Sequence, residues 1–173
     1  MLNKTAMTGA VLQMLSHGMM TALFFALIGL IYGRTHTRDI REMGGLMKVI
    51  PFASVCYVIA GLASLGLPGL SGFVAEMTVF VGSFQNAGIF HRVLTFIAIC
   101  SIVITAVYIL RTVAKILYGP VQDPYHLYLT DATWYEKISA VGLIVFIVAM
   151  GMFPSGISNL IQNSLEPIIS RLL

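Results

Sequence analysis

Glu76 is the residue best placed to do chemistry in this chain. It is the one charged side chain in the 39 residues from Val49 to Ala87, a run that is otherwise largely apolar. A carboxylate at bilayer depth costs about 2.5–3.5 kcal/mol on insertion scales, and ionisable groups kept there usually serve a function. Just before it stands Leu67-Pro68-Gly69-Leu70-Ser71-Gly72. Pro68, Gly69 and Gly72 interrupt helix continuity, so Glu76 falls in the opening turns of a second half-helix. Burial favours the neutral acid, whereas the positive end of the helix dipole favours the carboxylate. A group held between those influences can take up and release a proton. The other reading is an ion pair with a Lys or Arg from a partner.

His17 is the second candidate, because imidazole titrates near neutral pH and can pass a proton between its two nitrogens. Gln13 and Ser16 lie four and one residues before it, so the three share one helix face. That polar stripe should face protein or water, not lipid. A packed, hydrogen-bonded histidine is the alternative for His17. Lys115, near the end of an apolar run, reads as a lysine snorkelling to the interface, with a relay role as the second option. His36, His91 and His126 fall in loops or at span ends and read as solvated.

These residues need elements to hold them. Hydrophobic residues make up 58% of the 173 and charged residues 10%, against about 25% charged in soluble domains. The class is therefore an all-α membrane protein, a single transmembrane domain over 1–173. A crossing needs about 20 apolar residues, and the predicted spans are 9–33, 49–87 broken near 67–72, 93–118 and 134–153. Pro51 suits the first turn of the first half-helix. Gly29 and Gly33 are a GxxxG pair suited to helix packing. Thr95, Ser101 and Thr105 can bond to their own helix backbone, and Trp134 and Tyr135 suit an interfacial belt. From Ile157 through Leu160, Ile161, Leu165, Ile168, Ile169 and Leu172 to Leu173, apolar residues repeat at helical spacing. The tail is thus an amphipathic helix, either at the membrane surface, docked on a partner, or continuing the last span, with a possible kink site at Pro167.

Several classes of function drop out. A formal net charge of +3 is small and dispersed, which argues against nucleic-acid binding. No Gly-rich phosphate loop and no nucleophile beside a base occur. Cys56 and Cys100 lack ligand spacing and read as small buried packing residues. The first apolar run is too long for a signal peptide and lacks a cleavage site.

Charge separates two topologies for the broken stretch. If it crosses once, Arg34, Arg38, Arg41, Lys48, Arg111, Lys115 and Lys137 share one side, leaving Lys4, Arg92 and Arg171 opposite. If it crosses twice, the division is six against four. Seven against three is the stronger bias and favours four crossings with both termini outside.

The blocks LSHG (Leu15 to Gly18), GRTHTRDIREMGGL and LGLPGLSGFVAEMTVFVGSF resemble the carboxy-terminal part of the complex I chain M family, whose mitochondrial equivalent is chain 4. Related antiporter-like chains usually carry Lys where Glu76 stands. The resemblance implies an antiporter-like, proton-translocating subunit of NADH:quinone oxidoreductase, with His17 on a central hydrophilic axis and Glu76 on a discontinuous helix. It implies no cofactor on this chain, since NADH, FMN and iron–sulfur clusters belong to the peripheral arm and quinone to the whole complex. No metal site is expected. It implies other membrane-arm subunits as partners, together with the missing amino-terminal part of a longer subunit, since the family has about fourteen spans. The expected location is a bacterial inner membrane, or an organellar energy-transducing membrane. A subunit of an Mrp-type antiporter or membrane-bound hydrogenase, and a scaffold piece that does not pump, are the competing readings.

Overall fold

The structure, a computed structural model, describes residues 3–85 and 88–172. Asn86 and Ala87, at the end of the predicted broken stretch, and Leu173 of the tail lie outside the described residues. Every long element is helical. Among the described residues, three helices are long and apolar enough to cross a membrane: α1 (Lys4–Thr35), α5 (Ile89–Leu117) and α6 (Trp134–Met152). Between them come α2 (Leu46–Val49), α3 (Pro51–Ser64) and α4 (Ser71–Phe84), and α7 (Ser155–Leu172) closes the chain.

Each helix end has a local cause. Asn3 caps α1 by accepting from the Ala6 N–H at 2.7 Å, which satisfies one of the orphan donors of a first turn. His36 ends it in a left-handed conformation, φ 54°, and donates its N–H to the Tyr32 carbonyl. Pro51 opens α3 as its first residue, where its missing N–H costs nothing. The Asp131 carboxylate then accepts the Phe52 and Ala53 N–H groups at 2.9 and 3.3 Å. Glu136 steadies the start of α6 by accepting from the Thr133 N–H and hydroxyl at 2.6 and 2.8 Å.

The predicted interruption is present, slightly earlier than 67–72. Helix α3 stops at Ser64 and α4 starts at Ser71. Pro68 and Gly69 lie in the break, whereas Gly72 lies inside the first turn of α4. Together α3 and α4 run the length of α1. At one end, Asp131 holds the start of α3 close to the Arg34–Glu136 pair. At the other, Asn3 donates to the Gly82 carbonyl at 2.6 Å. Helices α1 and α4 meet backbone to backbone. A methyl on Gly9 would lie 2.6 Å from the Val79 nitrogen, and one on Gly82 would strike Ala6. Small residues permit this approach where both surfaces are apolar.

Leu23, Leu27, Leu46, Ile50, Ala53, Ala60, Leu117 and Ile147 form the fully buried core among α1, α2, α3, α5 and α6. A second cluster, Leu12, Ala75 and Met150, receives Ile157 and Ile161 of α7. Arg34 links α1 to α6 through both terminal guanidinium nitrogens, with Nη2 2.6 Å and Nη1 3.1 Å from the two Glu136 oxygens. Most of α5 is exposed and apolar, including Val93, Phe96, Ile97, Val103 and Ile104.

Four expectations change. Cys56 is buried but Cys100 is exposed on α5, because it lies on that helix's outer apolar face. His126 is 1% exposed rather than solvated, since a short 3-10 turn, Pro124–Tyr128, folds the polar loop over it. The tail's apolar face is narrower than its pattern. Ile157, Ile161 and Leu165 point toward the protein while Leu160 is 70% exposed. A methyl added at Gly29 or Gly33 would meet no other helix within 4 Å among the described residues, so neither glycine of the pair serves a close approach here.

Candidate functional site

The break sets the position of Glu76. Gly66 has φ +62° and Gly69 φ +94°, a backbone region that L side chains rarely occupy. They turn the chain so that the second turn of α4 comes back over the end of α3. The Glu76 carboxyl folds onto that turn, and a methyl on Gly66 would lie 2.5 Å from its Oε2. Gly66 therefore serves both the turn and the space for the acid. Among the described residues, Glu76 makes no hydrogen bond or ion pair.

Helix α1 is pinned to the same place. The Ser16 and Ser71 hydroxyls, both buried, are 2.7 Å apart. Ser71 is the first residue of α4, so this bond brings the Gln13–His17 face of α1 to the half-helix that carries Glu76. Gln13, Ser16, His17 and Glu76 all line one cavity of about 330 Å³. Ser64 ends α3 there, and Thr105 and Tyr108 form the α5 wall. The Gln13 Oε1 atom is buried with no partner. A second cavity, about 230 Å³, lies on another side of Glu76 and is lined by Ser64, Ser101 and Thr105. Glu76, Ser64 and Thr105 thus border both hollows.

Polar groups of this kind suit water. Volumes of this size hold several molecules, each needing two to four polar partners. Glu76 contributes the carboxyl and His17 the imidazole on the first cavity.

Other residues take other places. Lys115 is absent from both hollows. It lies seven residues beyond Tyr108 on α5, about 10 Å along the axis, in a basic cleft with Arg38, Arg41 and Arg111. His36 caps α1, and His91 starts α5 beside Gly88. The sequence reading did not place Ser64, Ser71, Thr105 or Tyr108 in the site. The one signal available was Ser101 and Thr105 on one face of α5, and both do bond to their own helix, at 2.6 and 3.2 Å. That same face borders the acid.

Residues 1–112 match the family described as NADH:quinone oxidoreductase/Mrp antiporter, TM. The chain belongs to this family. Relatives include NADH-quinone oxidoreductase subunit M of Rickettsia conorii, 35% identical over 168 residues, 97% of this chain and 33% of the relative. NAD(P)H-quinone oxidoreductase chain 4 1 of Synechococcus elongatus is 39% identical over 155 residues, 88% of this chain and 29% of that protein. The chain spans about a third of the length of the curated relatives it matches. Among solved structures, a chain of "Respiratory complex I from Thermus thermophilus with bound NADH" superposes with TM-score 0.85 at 25% identity, covering 96% of this chain and 34% of that one. A chain of "Structure of Mrp complex from Dietzia sp. DQ12-45-1b" shares the fold, with TM-score 0.78 at 18% identity over 92% of this chain and 37% of that one. The family is thus that of antiporter-like membrane subunits homologous to those of NADH:quinone oxidoreductase.

Proposed function

We propose that this chain is a proton-translocating piece of the membrane arm of NADH:quinone oxidoreductase, with Glu76 and His17 as its proton-exchanging groups. The observation that carries this reading is the shared cavity. An acid beside a broken helix and a histidine on the neighbouring helix open onto the same polar hollow. Water in that hollow connects the two groups, and the second hollow carries the path past Glu76 toward Ser101.

The same reading has four membrane crossings. Helices α3 and α4 make one discontinuous crossing, supported by their joint run along α1, and both chain termini lie outside. Non-helical backbone at membrane depth is tolerated where it is buried in protein or lines a water-filled cavity; Leu65 lines the second hollow and the Gly69 carbonyl packs against Gly151 of α6. The chain then works as one transmembrane unit, 1–173, in a bacterial inner membrane. It packs beside helices equivalent to the earlier two-thirds of its relatives and beside other membrane-arm subunits. It holds no cofactor of its own. NADH oxidation and quinone reduction happen elsewhere in the complex, and this chain supplies the groups and the water path that move the proton.

Replacing Glu76 with Gln keeps the shape of the side chain and removes its proton. In membrane vesicles of the assembled complex, E76Q should abolish most NADH-driven proton uptake while the complex remains intact on a native gel. Unchanged proton uptake in intact E76Q complex would make the chain a scaffold.

A further inference from the structure

We propose that the loop-side rim between α1 and α5 binds the headgroup of an anionic phospholipid, with an acyl chain lying in the apolar slot beneath it. Two adjoining hollows carry this. The upper one, about 470 Å³, is bounded by Arg38, Arg41, Arg111 and Lys115, with Asp39 as its one acid. The lower one, about 200 Å³, is lined by apolar side chains including Ile28, Ile31 and Ile116. Arg38, Ile40 and Thr112 border both, so the cationic mouth opens directly onto the slot.

The cations are free to take a ligand. All four are exposed, and none is in an ion pair among the described residues. Arg34, a few residues away, is already committed to Glu136. The Asp39 carboxylate is partly engaged, accepting the Arg41 backbone N–H at 2.8 Å. The Arg38 guanidinium lies 4.5 Å over the Tyr32 ring, which holds it at the top of the slot. Arg111 and Lys115 are four residues apart on α5 and face the same way.

A phosphodiester suits this set, because Arg forks match its paired oxygens and Lys adds a point charge. The slot selects a lipid over a free anion, since inorganic phosphate would leave it unused. Four cations against one acid also disfavour a zwitterionic headgroup with its quaternary ammonium. The rim carries the excess of Lys and Arg expected on the leaflet that holds anionic lipids.

Native mass spectrometry of the full chain in mild detergent tests this. Wild type should retain phosphatidylglycerol about tenfold more tightly than phosphatidylcholine of the same acyl chains. R111Q/K115Q should lose that preference, and R111K/K115R should keep it. Should R111Q/K115Q fail to fold, R41Q replaces it, because Arg41 is an exposed loop residue; its preference should fall several-fold. Equal retention of the two lipids, an unchanged preference in the Gln variants, or displacement of the lipid by inorganic phosphate would each overturn the proposal.

Discussion

Gly66 decides how closely the acid can approach the break. Its φ of +62° is unfavourable for any L side chain, and the Glu76 carboxyl fills the space a methyl would need. Gly66→Ala should therefore destabilise the protein by about 1–2 kcal/mol from the backbone alone, read as a lower thermal midpoint in detergent. It should also displace the carboxyl, so proton uptake in the assembled complex should fall although Glu76 is still there. The acid itself was legible in the sequence, because an unpaired charge in an apolar run is conspicuous. Its neighbours on α5 were not. Ser101 and Thr105 satisfy themselves on their own helix, and only packing against α4 turns their face toward Glu76. Lys115 reads in the sequence as a lysine snorkelling to the interface, with a relay role second, and its position near the end of α5 takes it to the basic rim, away from Glu76.

At the scale of elements, the Ser16–Ser71 bond sets the register between α1 and the second half-helix. Ser16→Ala leaves the buried Ser71 hydroxyl without its partner, which should cost about 1–3 kcal/mol. The double variant S16A/S71A removes both polar groups and should recover much of that loss. A double-mutant cycle on thermal unfolding measures the coupling, and additive losses would mean that the two hydroxyls do not act together. The interruption of the α3–α4 pair was readable from Pro68 and its surrounding glycines, with an error of about two residues at its edges. The role of α7 was not readable. Its sequence has a broad apolar face, but among the described residues Ile157, Ile161 and Leu165 turn toward the protein while Leu160 and Ile168 stay exposed, because the turn at Phe153 and Pro154 fixes how the helix leaves α6.

For the whole molecule, the ends of the helices sort the loops into two sets. The loop 36–45 is tied to the end of α5 by the Gly45 N–H, which donates to the Tyr118 carbonyl at 3.2 Å. Asp131, from the loop before α6, caps α3 at that same end. In a C56A/C100A background, single cysteines at Ile40 and Tyr128 should react with a membrane-impermeant thiol reagent from one side. A cysteine at Ile89 should react from the other. Ile40 and Tyr128 labelling from opposite sides would refute the single discontinuous crossing. Charge alone leaned the same way in the sequence, seven against three, but it could not show that α3 and α4 line up end to end along α1. Neither could it reveal the burial of His126, which depends on a turn inside a loop that reads as polar.

The account rests on Glu76 exchanging its proton with water in the cavity. Infrared difference spectra of the assembled complex, titrated with pH in H2O and in D2O, measure this directly. Wild type should show a carboxylic C=O band that grows as the pH falls and shifts in D2O, and E76Q should lack it. Spectra of wild type and E76Q that coincide throughout the titration would contradict the account.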